Sequence, residues 1–381
     1  MKRRGLLAAA AALPLVRLAR AASGPTIDVK RLGAYGDGRM SDLATVREAI
    51  QTAARRPGST VLFPRGQYFL GTASDSYLVS AKGLRDVRIV GEDATIACRS
   101  VNGTSTMLEL EGCRNVTVEG LAFRDHGLKR DVNWLGAAAI RLSNARSAGC
   151  QDITIAHCSF DSVLGAVVSR YTEDDPELRT RGIELSDLTV RRSYYGFNFQ
   201  DNADDLVARR IRCDDVKRSY FPYGVSNHDV ELDTANNATG FTDVLIKCYH
   251  RDTTRIRVRV RCRGKRGGDA IVALDNQHER GRGTIRGIDV WLDVDDADCK
   301  LDRVVLISSL DRDGRIQKHT TNRWDDIALD GNVRICDQTK LIDIMSVAAT
   351  PGTLRIGAAL ARNPRLPASF PGFRATVARA S

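Results

Sequence analysis

The sequence predicts an all-β solenoid, a parallel β-helix with one N-terminal helix, and three observations lead there. Four segments, Val116–Phe123, Ile153–Phe160, Ile183–Val190 and Leu206–Cys213, each carry apolar residues at positions 1, 3, 6 and 8 with polar residues between. That is alternation of period 2 with one slip of phase: a strand, a one-residue bend, then a second strand. The stretch Val190–Asn202 is nearly repeated by Val216–Asp229, so that Arg192-Ser193-Tyr194 aligns with Arg218-Ser219-Tyr220 and Gly196 with Gly224. Repeats of this kind stack to bury faces that no single unit could bury alone. Finally, glycines (32) far outnumber prolines (10), which suits many short strands joined by tight turns.

The first 21 residues read as an export signal. Arg3-Arg4 precede an apolar run, Gly5–Val16, and Ala19-Arg20-Ala21 offers a small-residue cleavage site. The run is too short to span a bilayer, and the paired arginines suit the twin-arginine route. The expected location is periplasmic or secreted. A helix is expected from about Asp42 to Arg56, with Leu43, Val46, Ala49, Ile50 and Ala53 at helical spacing, Ser41 able to cap it and Pro57-Gly58 ending it. Two short strands around Pro64–Gly66 follow.

The order Gly33-Ala-Tyr-Gly-Asp-Gly38, amphipathic helix, Thr60-Val-Leu-Phe-Pro-Arg-Gly-Gln-Tyr68 resembles the opening of pectate-lyase-superfamily (glycoside-hydrolase-28-related) proteins. The match covers Gly33–Leu70 and departs at Met40-Ser41-Asp42-Leu43, where that family has Thr-Asp-Asp-Thr. The resemblance implies a right-handed parallel β-helix whose open end the helix plugs. On this basis residues 22–70 form the cap, 71–360 the solenoid and 361–381 an irregular tail. The polygalacturonase branch carries Asn-Thr-Asp, Asp-Asp, Gly-His-Gly and Arg-Ile-Lys. Here only Asp214-Asp215 corresponds and Gly-His-Gly is absent, so that site does not transfer.

A second strand column is read at Ile140–Leu142, Ala166–Val168, Phe197–Phe199, Val225–Asn227 and Ile271–Ala273. Its outward members are Arg141, Asn198 and Ser226, followed by Asn144, Arg170, Gln200 and His228. Such a row of planar donors and acceptors suits a sugar chain, with insertions at Asp125–Gly136 and Tyr171–Thr180 as walls of a groove. Eliminative cleavage of a uronate polymer needs a cation on the carboxylate, a base for the α-proton and an acid for the leaving oxygen. Arg218 would be the clamp, His228 or a tyrosine the base, and Tyr220 or Tyr223 the acid. Lys217, Arg141, Arg170, Asn198, Gln200 and Asn227 would bind substrate.

Two alternatives stay open. A hydrolase would use paired carboxylates drawn from Asp201, Asp204, Asp205, Asp214 and Asp215, although Asp also favours turns and such a cluster could hold calcium. A non-catalytic polysaccharide binder or adhesin is the other. No cofactor is required on the lyase reading. The net charge of +10 favours an acidic polysaccharide as partner. No nucleic-acid motif appears, no later segment reaches transmembrane length, and no membrane partner is expected. The outward Arg255, Arg257, Arg259 and Arg261 form either a polyanion strip or a charged outer face. The nine cysteines lack CxxC spacing and are expected mostly as small buried hydrophobes, with room for one or two disulfides.

Overall fold

The computed structural model describes residues 24–379, except 74–76, 102–104, 129–136, 145–147, 170–177, 202, 238–239, 266, 278–281, 297–300, 310–321 and 346–350. The segment read as an export signal, Arg170, Cys299 and most of the two insertions lie outside the described residues.

The period-2 segments are strands, and their phase slip is a crease. Ile183, Leu185, Leu188 and Val190 are all buried, and between the two pairs Asp187 adopts φ 54°. Gly120, His157 and Arg210 hold the same place in their own strands with φ 68°, 52° and 54°. One left-handed residue turns the strand and shifts the phase of its alternation by one position. The creased strands build a sixteen-stranded sheet, and a ten-stranded sheet closes the coil. The strands pair in parallel with those one coil away, which makes the chain a parallel β-helix.

Two stacks of side chains fill the interior. Along the larger sheet run Val87, Val116, Ile153, Ile183, Leu206, His228, Ile256, Ile288, Ile327 and Leu354. Along the smaller run Val79, Leu108, Ile140, Val167, Phe197, Tyr220, Val244, Val272, Val305 and Ile342. Each fully buried aliphatic member contributes about 1.5–3 kcal/mol relative to exposure. At the corners, left-handed residues also stack coil on coil: Asp86, Asn115, Asp152, Gly182, Asp205, Asn227, Arg255, Gly287 and Asp326 all have positive φ. Asp, Asn and Gly tolerate that conformation best.

The helix Leu43–Ala54 buries Val46, Ala49, Ile50 and Ala53. Asp42, rather than Ser41, is its N-cap residue; the Asp42 carboxylate accepts the Tyr35 and Gly36 N–H groups at 2.6 and 3.2 Å and so ties the glycine-rich loop to the start of the helix. At the other end the stretch read as an irregular tail carries one more strand, Phe373–Val377, paired with Gly352–Ile356.

The outward arginines form no anion strip. Arg257 lies 3.8 Å from Asp229 and 3.6 Å from Asp289, and Arg261 lies 3.2 Å from Asp293. Arg255 bonds Asn227. Acids on neighbouring coils thus neutralise two of the four, each exposed pair adding at most about 1 kcal/mol. The eight described cysteines are free thiols, seven of them buried. Among the described residues no helix is long and apolar enough to cross a membrane.

Candidate functional site

The register of the ten-stranded sheet decides which residues share its outer wall. Gln200 faces Tyr223, Tyr223 faces Lys247, and Lys247 faces Asp275. One step along, Asn198 faces Phe221 and Leu245 faces Ala273. Arg141 lies farther along the same wall, its guanidinium 4.9 Å from the Tyr77 ring centroid and its Nε donating to Ser143 at 3.0 Å. Arg170 lies outside the described residues.

On this wall a second apolar cluster, separate from the core, gathers Ala137, Leu164, Tyr194, Tyr195, Phe221 and Tyr223, with Phe241, Leu245 and Tyr249 packed against it. Cations sit on its rings. The Lys217 ammonium is 4.7 Å from the Tyr194 ring and 5.1 Å from that of Phe241; the Arg218 guanidinium is 4.9 Å from Phe221. Arg218 is half-buried, and the protein around it lowers its guanidinium from the ordinary value. Among the described residues its Nε is buried without a hydrogen-bond partner, as are Asn198 Nδ2 and Asp201 Oδ1. An unsatisfied buried polar atom costs about 1–3 kcal/mol, and three of them belong to this one wall or its edge.

At the edge, Asp201 and His250 form a pair. His250 Nδ1 donates to Asp201 Oδ2 at 2.8 Å. The Asp201 side chain is fully buried, while the His250 side chain remains 28 % exposed. Burial raises the Asp201 carboxyl above the usual carboxylate range, and the bond from His250 works against that rise. The pair spans the intervening coil because Gly224 lies there, at φ 62°, and a Cβ on it would collide with Asp201 Oδ1. Gly224→Ala is therefore expected to cost about 1–3 kcal/mol of stability and to separate Asp201 from His250; denaturant unfolding and cleavage assays on the variant check this. Tyr249 packs edge-on against His250 at 4.5 Å, and the Lys247 ammonium lies 5.0 Å from the Tyr249 ring. A continuous strip therefore runs from Asp201 and His250 through Tyr249, Lys247, Tyr223 and Phe221 to Arg218.

The structure separates the sequence-predicted residues into three groups. Arg218, Tyr223, Lys217, Arg141, Asn198, Gln200 and Asp201 belong to the outer wall or its edge. Tyr220 and His228 do not: they are 0 % and 1 % exposed and occupy the two interior stacks. Tyr220 Oη bonds His228 Nδ1 at 2.6 Å across the core, and His228 Nε2 donates to the Ala203 carbonyl at 3.0 Å. No polymer reaches them, which corrects their assignment as acid and base. The remaining candidates are structural. Asp204 pairs with Arg179 and accepts from Ser226 N–H at 2.8 Å; burial pushes its carboxyl up, but Arg179 and Ser226 more than offset this and hold it low. Asp205 accepts from Asn227 Nδ2 at 2.8 Å in the corner column. Asp214 accepts from Asn236 at 3.1 Å, and Asp215 is a left-handed turn residue. Among the described residues no three acidic, His or Cys side chains gather as a metal site would.

The misplacement traces to register. The repeat beginning at Tyr195 pairs with Arg218, and Phe197 with Tyr220, so Val225–Asn227 lies at a corner and the start of the next strand. The residues missed were Lys247, Tyr249 and His250. Carrying the strand pairing forward from Tyr223 would have found them.

No family model and no curated protein matches this chain. Among solved structures, a 1,3-α-1,4-β-D-galactose-4-sulfate-3,6-anhydro-D-galactose-2-sulfate 4-galactohydrolase is 11 % identical over 87 % of this chain and 90 % of its own, with a TM-score of 0.50. The Agl-KA catalytic domain is 12 % identical over 93 % of this chain and 68 % of its own, also at 0.50. An iota-carrageenase complexed with iota-carrageenan fragments is 15 % identical at 0.41; there the match spans 71 % of this chain and 57 % of that one. Identities this low establish a shared fold and nothing about substrate.

Proposed function

We propose that this protein is an exported carbohydrate-active enzyme that cleaves an acidic polysaccharide by β-elimination on the outer wall of the ten-stranded sheet. The observation that carries the reading is the association of three unsatisfied buried polar atoms, two ring-stacked cations and an Asp–His pair on one wall and its edge. Asp201 holds the His250 Nδ1 proton and leaves Nε2 as the basic nitrogen. His250 would remove the proton α to a uronate carboxylate, with Lys247 stabilising the charge that develops on that carboxylate. The electron pair forms a C=C bond as the β C–O bond breaks, and Tyr223 would protonate the departing oxygen. Arg218, separated from His250 by Tyr223 and Phe221, would clamp the carboxylate of a neighbouring sugar. This reading asks for no cofactor.

Hydrolysis is disfavoured by spacing. Asp201 stands at the end of the Gln200 strand, and Asp275 is three strands away, about 14 Å at the usual strand separation. Paired glycosidase carboxylates stand roughly 5–10 Å apart, and Asp204 is locked by Arg179. The motif at Gly33–Leu70 and the export signal agree with the reading. By its name one solved neighbour hydrolyses a sulfated galactose chain, so a sulfated galactan belongs in the test. Incubation with uronate polymers and that galactan, followed by ultraviolet absorbance of unsaturated ends, decides the matter. New absorbance supports elimination. Reducing ends without absorbance mean a hydrolase; retention on a polysaccharide column with neither product means a binder.

A further inference from the structure

The larger sheet holds a second feature, unconnected with the aromatic wall. Up to Ala203–Asp214 the strands are creased, with Arg210 at the bend. The next strand, Ser226–Ala235, lacks that bend, and its register slips between Ala208 and Ile211. Where creased coils give way to flat ones, a groove of about 470 Å³ opens on the outer face, lined by Arg212, Glu231, Asp233, Arg259 and Trp291 among others. Trp291 is 40 % exposed in a row that is otherwise charged: Glu231, Arg259, Trp291 and Asp330 face one another in turn.

We propose that this groove holds a neutral segment of a pyranose chain, as a non-catalytic glycan site on the larger sheet rather than on the ten-stranded sheet that carries the candidate active site. The exposed indole offers a flat apolar surface for the C–H face of a sugar ring. The groove's polar groups are available around it. Arg257 and Arg261 are paired with aspartates, whereas among the described residues the side chains of Arg212, Glu231, Asp233 and Arg259 make no hydrogen bond or ion pair. The lining's four guanidinium groups (Arg210, Arg212, Arg259 and Arg261) stand against Glu231, Asp233 and Asp293 in the groove and Asp187 at Arg210, so the charges cancel and a uronate or sulfated chain gains little there. A chain of hydroxyls can donate to the acids and accept from the arginines. Strands about 4.8 Å apart present these groups at nearly the repeat of one hexose. The site does not depend on the elimination chemistry.

Electrophoresis of the intact protein through native gels containing a neutral galactan, xylan, mannan or glucan, with polygalacturonate as control, tests this. The expected result is retardation by at least one neutral polymer, with about tenfold weaker binding in Trp291→Ala and in Arg259→Ala. Cleavage of short acidic oligosaccharides should be unchanged in both. No retardation of the parent protein by any neutral polymer overturns the proposal. So does equal retardation of both variants, or a Trp291 effect seen only with polygalacturonate. If Trp291→Ala instead converts a dimer to a monomer in light scattering, the groove is an interface between copies and the proposal also fails. Arg259 is exposed, so its variant gives the answer even if Trp291→Ala does not fold.

Discussion

His250→Ala is expected to lower cleavage by the folded protein about 10²–10⁴-fold, the contribution of one positioned general base. His250 is partly exposed, but its ring nitrogen is bonded to a buried carboxylate, so its removal leaves Asp201 Oδ2 without that donor and should also cost about 1–3 kcal/mol of stability. Asp201→Asn should reduce the rate through the same route, because the amide no longer fixes the proton on Nδ1. Tyr220→Phe provides the contrast. It leaves the wall untouched and removes the partner of His228 Nδ1, so it should cost about 1–3 kcal/mol of stability and leave the rate of the folded enzyme near normal. Full activity in His250→Ala would remove the reaction centre from this wall.

Stability should fall by roughly 3 kcal/mol as the pH drops from about 6.5 to 4, because of His228 alone. Burial lowers its imidazole to about 4, with the Ala203 carbonyl acting in the opposite direction. In the unfolded chain it titrates near 6.5. Between those values the unfolded state takes up a proton that the folded state refuses, so acid favours unfolding. Above 6.5 both states are neutral and the effect is absent; below 4 both are charged and the loss is complete. The double variant Tyr220→Phe, His228→Leu restores hydrocarbon to both stacks at once. Its unfolding free energy from urea titration should vary with pH by about 3 kcal/mol less than that of the parent over this window. Parallel profiles for the two proteins would show that His228 is not the titrating group.

The fold was legible because a solenoid repeats its physics. Ile183-x-Leu185 and Leu188-x-Val190, with Asp187 between, already state two inward pairs and a bend. The unbroken alternation of Arg255–Cys262 equally states a strand without one. The site was legible only in part. Arg218, Tyr223, Asn198, Gln200 and Asp201 were found because they lie on a strand or at its edge whose inner residues are plainly apolar. Tyr220 and His228 were misread because polar, aromatic types stand where the pattern expects hydrocarbon. His228-x-Val230-x-Leu232 keeps the alternation of Leu206-x-Ala208, and that alternation decides the matter against residue type.

Alternation along the chain sets which side of a strand a residue faces, and this depends only on neighbours two positions apart; the sequence determines it unaided. Which residues of different coils become neighbours depends on coil length, and this chain varies it through insertions of unequal size. Gly224 lets His250 meet Asp201 across a coil, and the loss of the crease after Arg210 opens the groove beneath Trp291. Both are consequences of register between strands, which no local pattern encodes and only the stacked structure sets.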